Sequence, residues 1–431
     1  MRRSLRFSMV EGASFFSMVG AAEGYFQAFA LFLKATVFQV GLVSTLPLSI
    51  ASVLQLFSRP VQRLSGSRRR FNVAAGAVRT LLFVPLALSP LMGQARVWVL
   101  LVLVCAYYSL NYLPNPAWTS WMRDLVDDSQ RGRFFGRRNA VGNIAGLAAS
   151  VTAGLALQAY SGSPLYGFLI VFGVAVLGSI GSAVSLSRQY DPQGESPAQE
   201  GQGMLEFVRG LARTNYGRFV ICNFLVYFGA YIASPFVVPF MLDGMGFSYL
   251  QFMVANSLVS LVKFPSLPLW GTLGDRYGTK KTLALSAFMI CLTPFTWLLA
   301  RSFLWVCLIQ VFGAFAWAGF EIAALSFAYD AMPAEMVTTQ TSFLLFFRGL
   351  AIVGGGLAGG VLLPHVHVRG SSYLGLFVIS GIFRLVCVLP LLFLIREERA
   401  VQQISYPGLA LKLLTLPSRA LVRRWFSGPQ S

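Results

Sequence analysis

The stretch Gly271-Thr-Leu-Gly-Asp275-Arg276-Tyr-Gly278-Thr-Lys280-Lys281 decides the reading of this chain. It carries four charges between two long apolar runs, where charge is expensive. An earlier stretch, Arg59-Pro-Val-Gln-Arg63-Leu-Ser-Gly66-Ser-Arg68-Arg69-Arg70, stands in the same setting. Gly66 and Gly278 lie 212 residues apart. So do Arg68 and Lys280, Arg69 and Lys281, and, upstream of the intervening run, Gln39 and Gln251. A charged glycine turn repeated at about half the chain length predicts two related membrane halves.

Composition agrees. The 431 residues are 56% hydrophobic and 12% charged, with a mean hydropathy of +0.65. A soluble fold has too much surface for that ratio. Apolar runs of 18 to 27 residues suit helices crossing a hydrocarbon core of about 30 Å. Twelve are predicted, at about 8–33, 41–58, 71–92, 97–122, 138–160, 164–187, 217–241, 246–270, 282–300, 303–329, 340–363 and 371–395. The fold class is therefore an all-α membrane protein. Met1-Arg2-Arg3-Ser-Leu-Arg6 opens the first run, but the run is too long for a signal peptide and Glu11 and Glu23 interrupt it, so it reads as an uncleaved span.

The net charge of +18 invites a nucleic-acid reading, and its distribution argues against one. With the N-terminus inside, 26 of the 34 Lys and Arg fall in cytoplasmic segments; only Lys34, Arg96, Arg301 and Arg369 fall outside. That bias sets both termini in the cytoplasm, as in a bacterial inner membrane, with the positive charge facing anionic lipid headgroups. The five cysteines lie inside predicted spans without metal-type spacing and read as small apolar side chains. His365 and His367 share no helix face and have no carboxylate nearby in sequence, so no metal site is expected. A phosphate-binding glycine loop is missing, and no enzyme chemistry or cofactor is expected.

The predicted organisation is an N-terminal six-helix bundle at 1–187, a cytoplasmic linker at 188–216, a C-terminal six-helix bundle at 217–395 and a basic cytoplasmic tail at 396–431. Met204–Thr214 reads as a short amphipathic helix, and the tail as an interfacial segment on the inner leaflet. Prolines at 114, 116, 235, 239, 265 and 268 are expected to bend or break the fourth, seventh and eighth spans.

Two pseudo-symmetric six-span halves with a charged loop after the second span of each resembles the major facilitator superfamily. The second-half loop matches that family's signature at Gly271, Leu273, Asp275, Arg276, Gly278, Lys280 and Lys281. Two departures stand out. Arg63 takes the place of the signature aspartate in the first half. The fifth span reads Gly142-x-x-x-Gly146 with Gly154 beyond, not the glycine-proline pattern of the family's antiporters.

The resemblance implies a secondary active transporter. It would move a small solute by alternating access, driven by an ion gradient or by the solute's own gradient. It also implies that the signature loop latches the cytoplasmic ends of the halves, with Gly271 and Gly278 making the turn and Asp275 and Arg276 meeting the start of the fifth span near Arg137 and Arg138. A positive residue cannot cap a helix N-terminus, so the Arg63 loop should act differently.

Charges inside spans cost about 2.5–3.5 kcal/mol each on insertion scales and are functional candidates by default. Seven occur: Glu11, Glu23, Arg79, Lys263, Glu321, Arg348 and Arg384. In the family, spans 1, 4, 7 and 10 line a central cavity, with 2, 5, 8 and 11 contributing. That placement puts Glu23, Lys263, Glu321 and Arg348 at the cavity and leaves Arg79 and Arg384 as peripheral structural residues. Glu11, near its helix end, can snorkel. Glu23 lies near mid-depth and is the leading proton or substrate site. Similar depths suggest a Glu321–Arg348 pair. Polar and aromatic stripes complete the expected path: Gln27 in span 1; Asn111 and Tyr112, beside Tyr108 and Asn115, in span 4; Asn223, Tyr227 and Tyr231 in span 7; Trp317 in span 10. Lys263 and Arg348 tilt the expected substrate towards an anion or zwitterion, carried by a monomer. The rival reading is a non-transporting protein of the same fold, an assembly factor or sensor, suggested by the altered first loop and the long basic tail.

Overall fold

The computed structural model describes residues 2–126, 131–191, 204–332, 337–398, 401–402 and 404–415. Parts of the expected linker and of the tail fall outside them. Among the described residues the regular structure is helical apart from one isolated bridge, Val368 with Ser371. In chain order the helices are α1 (Arg2–Ala22), α2 (Phe26–Phe32), α3 (Val37–Leu54), α4 (Ser58–Ser65), α5 (Arg68–Leu88), α6 (Arg96–Tyr112), α7 (Asn115–Leu125), α8 (Arg131–Ala159), α9 (Pro164–Ser187), α10 (Met204–Gly210), α11 (Asn215–Ala233), α12 (Val237–Pro239), α13 (Tyr249–Tyr277), α14 (Thr279–Thr296), α15 (Phe303–Ala331), α16 (Val337–Leu362), α17 (Ser372–Leu394) and α18 (Tyr406–Thr415). Among the described residues, ten helical stretches are long and apolar enough to cross a membrane, and Ser372–Val388 is a shorter apolar one.

Three expected spans are broken. The first is α1 and α2 joined by a 3₁₀ turn at Glu23–Tyr25. The fourth breaks at Leu113–Pro114 between α6 and α7, where Pro114 and Pro116 have no N–H to continue the helical hydrogen bonds; Leu113 itself keeps helical dihedrals. The seventh passes from α11 through a 3₁₀ turn (Ser234–Phe236) and α12 into a π-helical turn, Phe240–Gly244, at Pro235 and Pro239. The eighth runs unbroken as α13, although Pro265 and Pro268 stand inside it.

The repeat seen in the sequence has a local physical cause. Gln39 closes a capping box with Thr36: its backbone N–H donates to Thr36 Oγ1 at 3.3 Å and its side-chain oxygen accepts from Thr36 N at 2.9 Å. Gln251 repeats this with Ser248 at 3.3 and 3.0 Å. The capping boxes satisfy orphan donors at the starts of α3 and α13. Gly66 (φ +68°) and Gly278 (φ +106°) then make the bends into α5 and α14, in a region only glycine enters without strain. Gly271 is not part of a turn; it lies inside α13, so Gly278 alone makes the bend.

The contacts divide the chain into two units. Unit 1 holds residues 1–198 together with 231–257 and 349–373. Here α1 runs closely along α8 and α9. A Cβ on Gly20 would sit 2.0 Å from the Gly146 carbonyl oxygen, and one on Gly142 would meet the Phe16 ring at 2.7 Å. The fifth-span glycines are thus where α1 comes closest to α8. Unit 1 also holds the contacts of the short pieces from the second half. Gln27 Nε2 donates to the Pro235 carbonyl at 3.2 Å, Ser49 Oγ to that of Gly349 at 2.7 Å, and Leu250 N to Gln158 Oε1 at 3.4 Å.

Unit 2 holds residues 199–230, 258–348 and 374–431. One buried cluster in it joins Trp270, Leu273, Tyr277, Ala318 and Leu409. In α10, Phe207 packs on Phe343 with ring centres 4.7 Å apart.

Candidate functional site

In unit 1 the break in the first span places Glu23 against α6. Its carboxylate accepts from the Tyr107 hydroxyl at 3.2 Å and from the Tyr108 hydroxyl at 3.3 Å. Glu23 is half-buried and, among the described residues, forms no ion pair. Tyr112 stacks on Tyr108, ring centres 6.3 Å apart. Asn111 stands one turn beyond Tyr107 on the same face, where its side-chain oxygen accepts from Arg79 Nη1 at 2.6 Å. Arg79 is 4% exposed, and its Nε donates to Ser179 Oγ at 3.3 Å. The span-4 stripe read from the sequence therefore does meet Glu23, through Tyr108 and through Tyr107, which spacing to Asn111 would have found. Arg79 belongs to this cluster. Gln27 is at the Pro235 contact, and Tyr231 also lies in unit 1. Asn115 is exposed at the start of α7.

A buried charge pair lies in the same unit. Arg138 Nη2 meets Glu11 Oε2 at 2.5 Å, its Nε donates to the Ser8 carbonyl at 3.2 Å, and its guanidinium lies 4.5 Å from the centre of the Trp118 ring. Ser182 Oγ donates to Glu11 Oε1 at 3.3 Å. Glu11 is 4% exposed, so it does not snorkel; a salt bridge inside the bundle holds it. Arg138 is turned into its own bundle, whereas Arg137 is exposed.

In unit 2, Lys263 Nζ bridges Glu321 at 2.9 Å to each carboxylate oxygen. Sequence depth alone suggested Arg348 there; Lys263 makes the bond. The Arg348 guanidinium instead lies 4.2 Å from the centre of the Tyr227 ring, with Trp317 5.5 Å beyond it. The pair is a quarter to a third exposed, so the charges are not sealed in the core. Asn223 is buried on α11.

The signature loop shows a repeated arrangement that the sequence reading missed. Glu397 Oε2 accepts from the N–H of Lys280, and its Oε1 from Thr279 Oγ1, at 2.9 and 3.0 Å. Asp330 also accepts from Thr279, at 3.3 Å. In unit 1, Asp191 accepts from the N–H of Arg69 at 3.1 Å, and Arg68 bridges Asp191 at 3.2 Å and Asp124 at 2.6 Å. A carboxylate beyond the last helix of each half thus caps the start of α5 or α14, where the helix dipole favours negative charge. The signal was present: Asp124 and Asp330 lie 206 residues apart, as do Asp191 and Glu397. Asp275 and Arg276 are exposed at the end of α13, and Arg276 exchanges two hydrogen bonds with Gln402, at 3.2 and 3.3 Å. The segment expected on the leaflet packs on the protein up to α18, with Leu409 fully buried. Among the described residues there is no cluster of metal-ligating side chains.

With this geometry in hand, comparisons place the fold. Residues 219–428 match the model of the Major Facilitator Superfamily, so the second half carries that family's sequence pattern. The chain as a whole carries its fold. The nucleoside transporter NupG aligns over 91% of this chain and 99% of its own, with 17% identity and a TM-score of 0.69. The D-xylose-proton symporter aligns over 93% and 98%, with 14% identity and a TM-score of 0.68. The POT family transporter PepTSo aligns over 91% and 98%, with 12% identity and a TM-score of 0.73. No curated protein matches the chain in sequence.

Proposed function

We propose that the chain is a secondary active transporter that carries a small solute across a membrane by alternating access, with proton coupling through Glu23. The observation that carries this reading is a half-buried carboxyl at a helix break, held by two tyrosine hydroxyls and, among the described residues, by no cation. A carboxyl so placed can bind and release a proton inside a bundle without breaking a salt bridge. The transporters that share the fold support it: they include a nucleoside transporter, a D-xylose-proton symporter and a POT family peptide transporter.

In this reading the protein is a twelve-span monomer of two six-helix bundles, 1–187 and 217–395, with linker 188–216 and tail 396–431, both termini cytoplasmic, in a bacterial inner membrane. Gln27, Asn111, Tyr112, Asn223, Tyr227, Tyr231, Trp317 and Glu321 line the path. The Lys263–Glu321 pair and the Arg348 guanidinium over the Tyr227 ring supply groups of both signs, which favours a solute with an anionic or zwitterionic group. Asp275 and Arg276, with Gly278 and Arg137, serve the cytoplasmic gate. The break at Glu23 and the proline breaks in the fourth and seventh spans supply the bending.

The test is uptake into proteoliposomes under an imposed pH gradient, screened with nucleosides, sugars, short peptides and organic anions. Wild type should accumulate at least one of them, inside-alkaline, and Glu23→Gln should lose gradient-driven accumulation while keeping exchange. Accumulation unchanged by the substitution would overturn the proton role.

A further inference from the structure

Among the described residues, the buried polar cluster around Glu23 contains two donors without a close hydrogen-bond acceptor. Arg79 Nη2 and Asn111 Nδ2 are both buried without a hydrogen-bond partner. Buried donors left unpaired are costly and call for an explanation. The two residues are already joined by the 2.6 Å bond from Arg79 Nη1 to Asn111 Oδ1. Their neighbourhood is well defined. Arg79 faces Phe15 and Glu11 from α1, Tyr107 and Asn111 from α6, and Ser179 from α9. Of the two carboxylates that act on it electrostatically, Glu11 is already engaged by Arg138 and Ser182. The other is Glu23, which faces Tyr107 and Tyr108 from α6.

We infer that Arg79 and Asn111 form a second seat for the Glu23 carboxylate, occupied when Glu23 is ionised. Three observations converge on this. The unused donors and the Glu23 carboxyl share one face of α6: Tyr107, which holds Glu23, and Asn111, which holds Arg79, stand at i and i+4. Glu23 sits in a 3₁₀ turn followed by Gly24, not in regular α-helix, so its side chain can swing without unwinding α1 or α2. The charge count fits as well. Glu11 with Arg138 is neutral, so Arg79 lacks a counter-charge unless an ionised Glu23 provides it. In the observed seat the carboxyl meets only neutral hydroxyls, a setting suited to its protonated form. In the second seat it meets a guanidinium and an amide, suited to its ionised form. Proton loss moves the carboxylate from the tyrosines to Arg79, and proton uptake returns it. Arg79 is then a positioning residue for the proton site, and the inference rests on the proton role proposed above.

A double-mutant cycle tests it without knowledge of the substrate. Thermal unfolding of the purified protein in detergent is measured for wild type, E23Q, R79Q and E23Q/R79Q at pH 8 and pH 5. At pH 8, R79Q strands a carboxylate and E23Q strands a guanidinium. Each single should lower the midpoint by about 3 °C or more, and the double should recover at least half of the larger loss. At pH 5 the coupling should shrink. Should R79Q fail to fold, R79K and N111L keep the question open to measurement by infrared difference spectra between pH 8 and pH 5. The Glu23 carboxylate band, assigned by its loss in E23Q, should move in both variants. Strictly additive midpoints at pH 8, or a carboxylate band unmoved by R79K and N111L, would overturn the second seat. Neither result touches the uptake test, where a Glu23→Gln variant with normal gradient-driven accumulation would overturn the proton role itself.

Discussion

At the residue scale, charges buried in apolar helices were easy to find in the sequence and hard to pair. Composition flags each one because its insertion is costly. Partners depend on helix rotation, which spacing within one helix does not define. Glu11 therefore looked like a snorkelling residue and is instead clamped by Arg138. Glu321 is bridged by Lys263. Arg384, read from the sequence as a peripheral structural residue, donates to two backbone carbonyls, Ile290 O at 3.1 Å and Ala230 O at 2.9 Å. One of those acceptors has a reason that sequence can supply. Pro294 has no N–H to offer the carbonyl four residues before it, which is Ile290. Arg384 fills that gap.

Two predictions belong at this scale. Arg138→Met should destabilise the protein by about 3–5 kcal/mol in chemical or thermal unfolding, because it leaves a buried carboxylate, and Glu11→Gln added to it should restore much of the loss. Arg384→Met should lower the unfolding midpoint, and Pro294→Ala on top should raise it again by returning an N–H to Ile290. A double variant no more stable than Arg384→Met would contradict that explanation.

At the element scale, the repeated turn was legible because its parts are local. A capping box needs residues three apart, and a bend needs one glycine with positive φ. What escaped was the acidic partner of each bend, because Asp191 and Glu397 arrive from more than a hundred residues away. Prolines were only partly informative. They break the fourth and seventh spans and leave α13 continuous. The tail looked amphipathic, and the side its apolar residues choose was set by a partner surface the sequence does not display. Leu409 enters the cluster of Trp270, Leu273 and Tyr277. Leu409→Asp should therefore lower the unfolding midpoint and raise hydrogen exchange in the peptide spanning 270–281; unchanged exchange there would contradict the packing. Within unit 1, a Cβ on Gly359 would fall 2.1 Å from the Ile232 carbonyl oxygen. Gly359→Val should force those backbones apart, measurable as faster thiol labelling of a cysteine placed at Ile232. Equal labelling rates would show that the contact adjusts.

At the scale of the whole molecule, hydropathy and the repeat were enough to predict a helical membrane protein in two related halves, and the fold comparisons agree with the helical architecture. The contact units cut across those halves in sequence. Unit 1 includes 231–257 and 349–373 from the second half, bound by Gln27, Gln158 and Ser49. Hydropathy cannot foresee this, because it reports how apolar a helix is and not which helix it packs against. Alternating access requires the contacts gathered in unit 1 to separate once per cycle. The most direct measurement is therefore uptake by a cysteine-less Gln158→Cys/Leu250→Cys variant, with and without a short thiol-specific cross-linker. Cross-linking should stop accumulation of the solute found in the proteoliposome screen, and reduction should restore it. Full accumulation with the two positions still joined would contradict the account.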